Sequence, residues 1–393
     1  MGHSYGLGAQ PPMGADRAAT RAALLDAVEV VRPVIEAHRD ETSRGGTLAP
    51  AVVEALRSAG LFAFKSPRAV GGAEAHPVDQ MDVIDAVTRI DPAAGWSMFI
   101  GAAVTGSSAA LLSDEGVNIL FAGGRCPIGA GSLKPDGRAE RVEGGYRITG
   151  RWAWGSGVRH ADFARVMAPV EGGGMVGASV SIADVTVHDN WHVMGMEGTG
   201  SCDYSLQEVV VPEHLTIDSM NPVQQRGGAL YRMGMPGYVV NEHMIFALVL
   251  AGMALEELQH LAANKRGYGG GTSIGDRAVV QRLVSEGNLR LRALRLLCDE
   301  VLEQLFEASE QGPPPGSLVA EARAVGTLCT DEAVQIVGAA FRHCGGSAVY
   351  RVAPIQQYLR DVYAVQSHFV VNDSSYEQHG QMLLGSADGP SMA

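Results

Sequence analysis

From Ala15 to about Leu120, apolar side chains such as Leu24, Leu25, Val28, Val31 and Ile35 recur at three- and four-residue steps, which predicts helix following helix. A segment over 48–59 carries a stripe of Val52, Leu56 and Ala59, with Thr47 expected as its N-cap and Gly60 just past its C-cap. Asp91-Pro92 supplies an N-cap and a first-turn proline for an uncharged run to Ser113, whose small residues predict a central helix. Near Cys126 the period drops to two, through 140–142, 146–149, 163–167 and 176–182, with glycine turns at 143–145 and 171–174. A run from Tyr204 to Val211, stopped by Pro212, closes this β region. Helical spacing then returns over 239–266, 276–311, 317–343 and 352–371, with Gln311-Gly312-Pro313-Pro314-Pro315-Gly316 parting the second segment from the third. Four such segments predict a bundle. The expected domains are a helical one over 1–122, a β one over 123–235 and a bundle over 236–393, an α+β chain without internal repeats.

Composition narrows the function. The 393 residues carry 30 Lys+Arg against 43 Asp+Glu, a net charge of −13 that repels phosphate backbones and argues against a nucleic-acid partner. With 46% apolar and 19% charged residues the chain is a folded globular one, and its low charge content predicts an oligomer. Cys126, Cys202, Cys298, Cys329 and Cys344 form no CxxC pair, so reduced buried thiols are expected rather than a metal site or a disulfide framework. The first residues lack the apolar core of a signal peptide. The run from Pro92 to Ser113 could span a bilayer by length, but Gly95, Gly101 and Gly106 dilute it. A cytoplasmic protein that leaves the membrane alone is expected.

Neither a phosphate-binding GxxxxGK[ST] loop nor a GxGxxG between strand and helix is present, and HExxH and GxSxG are absent too. The densest chemistry lies in Ile148-Thr149-Gly150-Arg151-Trp152-Ala153-Trp154-Gly155-Ser156-Gly157-Val158-Arg159-His160-Ala161-Asp162. Strand alternation puts Trp152 and Trp154 on one face, followed by a hydroxyl between two glycines. Such a face suits either a stacked flat ligand or a helix packed on a tryptophan-rich sheet.

That string resembles the flavin segment of the acyl-CoA dehydrogenase superfamily, and more closely its two-component flavin-dependent monooxygenase branch. The likeness extends to Ala55-Leu56-Arg57-Ser58-Ala59-Gly60-Leu61-Phe62, Gly195-Met196-Glu197-Gly198-Thr199-Gly200-Ser201 and Gln356-Gln357-Tyr358-Leu359-Arg360-Asp361, in the family's order. It implies an N-terminal helical domain, a β-barrel-like middle domain, a C-terminal four-helix bundle and a homotetramer. By the same resemblance Ser156 bonds flavin N5 or a neighbouring oxygen, Trp154 packs on the ring system and Ser132 lines the pocket. Arg266 would meet the flavin phosphate, and Gly345, Gly346 and Ser347 would reach it from another subunit.

A dehydrogenase needs a carboxylate base near the flavin. The two positions where the family carries one correspond to Phe369 and Phe246, leaving Glu242, one helical turn from Phe246, as the remaining acid. His368 instead stands at the spacing of the monooxygenase branch's histidine. An imidazole there suits a C4a-hydroperoxide, which needs a hydrogen-bonding partner and protection from water. The expected function is hydroxylation of an aromatic (phenolic, indolic or polycyclic) or amine-bearing small molecule, using O2 and reduced FMN or FAD from a separate flavin reductase. Trp96, Phe99, Val104 and Phe246 are the expected substrate-pocket residues; Val104 stands where phenol-hydroxylating relatives have a histidine. Arg360-Asp361 is read as a structural ion pair, and His160 and Asp162 as loop-shaping residues. The alternatives are an FAD-containing acyl-CoA dehydrogenase and a non-catalytic oligomeric scaffold.

Overall fold

The computed structural model describes Gly14, residues 16–264 and residues 273–385, and the chain divides into two compact units. The first runs up to Val193 and resumes over Glu197–Arg232; the second comprises Met194–Met196 and the chain from Met233 onward.

The first unit opens with α1 (Arg17–Ala37), α2 (Arg39–Gly45), α3 (Pro50–Ser58), α4 (Pro77–Ile90), α5 (Pro92–Leu111) and α6 (Asp114–Leu120). Helix α1 buries Leu24, Val28, Val31 and Ile35, the predicted stripe. Helix α3 stops as expected, with Gly60 in the left-handed region at φ +72° beyond the C-cap Ala59. Its start differs, because Ala49 holds the capping position and donates its amide to Thr42 Oγ1 at 3.1 Å, while Thr47 turns to His160. Helix α5 begins on Asp91, which accepts from the Ala94 amide at 2.8 Å, and nearly every residue along it is buried. Gly95 explains how closely it packs on α4: a Cβ there would lie 2.3 Å from Thr88 Oγ1.

Eight strands follow: β1 (Gly129–Gly131), β2 (Arg138–Val142), β3 (Gly145–Gly155), β4 (Phe163–Pro169), β5 (Met175–Ser181), β6 (Thr186–Val187), β7 (Cys202–Pro212) and β8 (Thr216–Asp218). They form two four-stranded sheets, β1-β4-β5-β8 and β2-β3-β7-β6, antiparallel apart from the β1–β4 pair. The inward residues of both sheets, among them Ile148, Trp152, Val166, Ala178, Tyr204 and Leu206, make one core. Two buried polar tips find carbonyls on β4: the Tyr204 hydroxyl donates to Arg165 O at 2.8 Å and Trp152 Nε1 to Met167 O at 2.9 Å. These bonds tie one sheet to the other.

The second unit is α7 (Gly234–Asn264), α8 (Ala278–Gln311), α9 (Gly316–Cys344), α10 (Pro354–Gln366) and α11 (Ser374–Leu383). The four predicted helices are present with ends shifted by a few residues, and α11 is added. Helix α9 is central, packing on the other four. From it the buried Arg323 donates to the carbonyls of Phe369 and Val370 at 3.3 Å and to Gln378 Oε1 at 3.0 Å. One guanidinium thus fixes the turn that carries the chain from α10 to α11. Among the described residues one helical stretch, 234–263, is long and apolar enough to cross a membrane, and 83% of its most apolar window is buried in the fold.

Residues 194–196 are held by α10. Arg360 donates to Met194 O at 2.6 Å, and Asp361 Oδ1 accepts from the Met196 amide at 2.6 Å. A Cβ on Gly195 would lie 2.2 Å from the Arg360 carbonyl, so only glycine fits there. Arg360 and Asp361 are therefore structural, through this segment.

Candidate functional site

The first set of candidate residues belongs to the first unit. Strand β3 loses register with β7 between Trp152 and Gly155, and this irregularity overturns the alternation expected for its tryptophans. Trp152 is buried in the sheet core, stacked on Tyr204 at 6.0 Å, whereas Trp154 is 63% exposed. Trp154 also sits at φ +63°, a region bulky residues rarely enter, and such strain is concentrated at functional sites. Gly155 is required by its neighbour, since a Cβ would lie 2.7 Å from the Tyr204 ring.

The turn places Ser156 over a buried polar cluster. Its Oγ accepts from Trp96 Nε1 of α5 at 3.0 Å and lies 2.8 Å from Ser201 Oγ, which is 2.7 Å from Thr199 Oγ1. The Gly157 amide donates to Thr199 O at 3.0 Å, clamping the turn onto the 199–201 segment. Trp96 is thus directly behind Ser156, with Phe99, fully buried, at its side at 5.0 Å between centroids. Val104 packs against β1: a Cβ on Gly129 would lie 2.5 Å from Val104 Cγ1. Ser132, just past β1, is half-buried and accepts from the Lys134 amide at 3.3 Å.

Below the turn, Asp162 accepts from Arg57 at 2.6 Å, Arg125 at 3.2 Å and the Ile128 amide at 2.8 Å. His160 is half-buried with its Nδ1 3.4 Å from Thr47 Oγ1, and its Nε2, shielded from solvent, has no hydrogen-bond partner among the described residues. Burial, reinforced by the Arg57 charge, pushes this imidazole down to about 4, so it is neutral at pH 7.

The second unit carries His368. Its Nδ1 accepts from the Val370 amide at 3.3 Å. A backbone N–H can only donate, so the single proton of the neutral ring is on Nε2. The ring lies 4.4 Å from that of His243 on α7, whose Nδ1 is 3.3 Å from Val239 O. Burial, and secondarily His243, pushes the His368 imidazole well below the usual histidine range. Phe246 and Glu242 on α7 are fully buried, whereas Phe369 is 41% exposed. Gly345, Gly346 and Ser347 are exposed at the end of α9, Gly345 at φ +74°. Arg266 lies outside the described residues.

Comparison with known proteins gives this arrangement its context. Residues 243–373 match the family described as acyl-CoA dehydrogenase, C-terminal domain. The chain is 26% identical over 345 residues to an indole-3-acetate monooxygenase of Pseudomonas putida, covering 85% of this chain and 86% of that one. It is 26% identical over 379 residues to the flavin-dependent monooxygenase oxygenase subunit HsaA of Rhodococcus jostii, covering 91% and 97%. XiaF from Streptomyces sp., solved in complex with FADH2 and glycerol, superposes with a TM-score of 0.82 at 22% identity over 95% of this chain and 98% of that one.

Residues 243–373 thus carry an acyl-CoA dehydrogenase C-terminal domain, and the relatives that this chain resembles along most of its length are monooxygenases.

The residues around Trp154 fit a flavin. An exposed indole on a strained turn offers a face for a flat ring, and the adjacent Ser156 hydroxyl, bonded to Trp96 and Ser201, has capacity for one more partner. No pattern in the sequence links Trp96, Thr199 or Ser201 to Ser156, or His243 to His368. Only Thr199 and Ser201 left a trace, lying within the family-like string 195–201.

Proposed function

We propose that this protein is the oxygenase component of a two-component system. It takes reduced FMN or FAD from a separate reductase and hydroxylates an aromatic (phenolic, indolic or polycyclic) or amine-bearing small molecule. When bound, reduced flavin supplies the electrons that activate dioxygen. Ser156 bonds the flavin at N5, and Trp154 packs against its rings. His368 serves as a neutral donor that holds an oxygen atom in place, its ring proton set on Nε2 because Nδ1 accepts from the Val370 amide. The observation that carries the reading is this fixed, uncharged imidazole in a chain that has Phe246 and Phe369 where a dehydrogenase has its acid. Buried thiols accord with a cytoplasmic protein, and exposed Val349, Tyr350 and Val352 beside Gly345, Gly346 and Ser347 accord with a homotetramer.

The reading is tested by mixing the protein and reduced FMN with oxygenated buffer and an indole or phenol, then measuring product and hydrogen peroxide. Ser156→Ala and His368→Ala should each cut product and raise peroxide release, by a factor of about 10 to 1,000 in the ratio. Wild-type coupling in both variants would refute the assigned roles. Bleaching of the protein's flavin by an acyl-CoA without oxygen would return the chain to the dehydrogenases.

A further inference from the structure

Ser156 does not stand alone. Its hydroxyl is one end of a row of three, Ser156, Ser201 and Thr199, with successive oxygen separations of 2.8 and 2.7 Å, all three side chains at most 8% exposed. The indole of Trp96 fixes one part of the pattern, because an N–H can only donate and Ser156 Oγ must therefore accept it. A serine hydroxyl has one proton and two lone pairs. After Trp96, one lone pair and the proton remain, to be shared between Ser201 and one further partner.

Two arrangements satisfy Ser156. In one, Ser201 donates to Ser156, and Ser156 presents its own O–H to a ligand acceptor. In the other, Ser156 donates to Ser201, Ser201 donates to Thr199, and Ser156 presents a lone pair to a ligand donor. Each gives the Ser156 oxygen three hydrogen bonds, and only rotations about C–O bonds separate them. Oxidised flavin has a bare nitrogen at N5, an acceptor; reduced flavin has an N–H there, a donor.

We infer that Ser201 and Thr199 are positioning residues forming a reversible hydroxyl relay, which lets Ser156 act as donor to oxidised flavin and as acceptor from reduced flavin. This rests on the reading that Ser156 meets N5. The relay matters unequally in the two states. Without Ser201, Ser156 facing oxidised flavin merely keeps a spare lone pair. Facing the reduced N5–H, it has a buried proton with no acceptor, and an unmet buried donor is the expensive case. In a protein that must receive reduced flavin from elsewhere, the relay favours the form that is delivered.

The experiment is anaerobic ultrafiltration of the full chain with oxidised FMN and, separately, with dithionite-reduced FMN, alongside the midpoint potential of bound FMN. Ser201→Ala should weaken reduced FMN about 10-fold and oxidised FMN less than about 3-fold. The ratio of the two affinities then changes by about 3- to 10-fold, which lowers the two-electron potential by about 15 to 30 mV. Ser201→Thr, which keeps the hydroxyl, should restore both values. Equal weakening of the two states, no change in either, or a loss that Ser201→Thr fails to restore would overturn the relay. If Ser201→Ala does not fold, Thr199→Val removes the far acceptor and should shift the same ratio in the same direction. Ser156→Ala separates the two levels: if it leaves the binding of both flavin states unchanged, Ser156 does not meet N5 and the relay falls with that reading. An effect of Ser156→Ala with an unchanged ratio in Ser201→Ala removes the relay alone.

Discussion

His160 makes the first unit sensitive to acid, by an amount that follows from its surroundings. The half-buried ring lies beneath the Ser156 turn, and its pKa falls from an ordinary 6.5 to about 4, mainly by desolvation and then by Arg57. Above pH 6.5 the ring is neutral in both folded and unfolded chains and its titration contributes nothing. Between 6.5 and about 4 the unfolded chain takes up a proton that the native ring refuses, so stability falls as the pH falls. At about 1.4 kcal/mol per pH unit, the loss across that window is about 3 kcal/mol. His160→Asn should remove it. The four tryptophans, Trp96, Trp152, Trp154 and Trp191, all lie in the first unit, so urea unfolding followed by tryptophan fluorescence reports on that unit. With wild type and variant compared at pH 7 and pH 4.5, the difference in unfolding free energy should move by about 2 to 3 kcal/mol in the variant's favour on going to the lower pH. A difference constant within about 0.5 kcal/mol would show that the ring is protonated, or hydrated, in the native state, and would refute the burial argument.

In the second unit, Gly195→Ala would push a Cβ to 2.2 Å from the Arg360 carbonyl. The thermal midpoint should drop as for an overpacked core site, about 1 to 3 kcal/mol, and an unchanged midpoint would show that segment 194–196 yields freely. His243→Phe keeps a ring beside His368 but removes the second cause of its low pKa. NMR titration of the His368 ring should then give a higher value, still below the ordinary histidine one because burial persists; an unchanged value would mean that His243 exerts no electrostatic influence.

Much of this was legible in the chain where the cause is local. Asp91-Pro92 starts a helix because a short carboxylate and a fixed φ act on adjacent amides, and Gly60 stops one because the left-handed region suits a residue without Cβ. Other features depend on partners far along the sequence. Thr47 does not cap α3 because His160, 113 residues away, claims its hydroxyl. Trp154 leaves the face predicted by alternation because β3 slips against β7, which no local pattern encodes. Ser156 was found by its glycine-flanked motif, but Trp96 and Ser201, at separations of 60 and 45 residues, are joined to it only by folding. His243 sits in a helix so apolar that its lone imidazole reads as core. Helix α11 is short, with Ser375 its one fully buried residue, and so shows no apolar period to detect.

Residues 194–196 have a practical bearing on anyone who wishes to divide this polypeptide. A gene cut at position 232 would leave the tripeptide on the amino-terminal product and its clasp, Arg360 and Asp361, on the other. The carboxyl-terminal product would then lack a piece of its own packing and would need the missing strip supplied in trans.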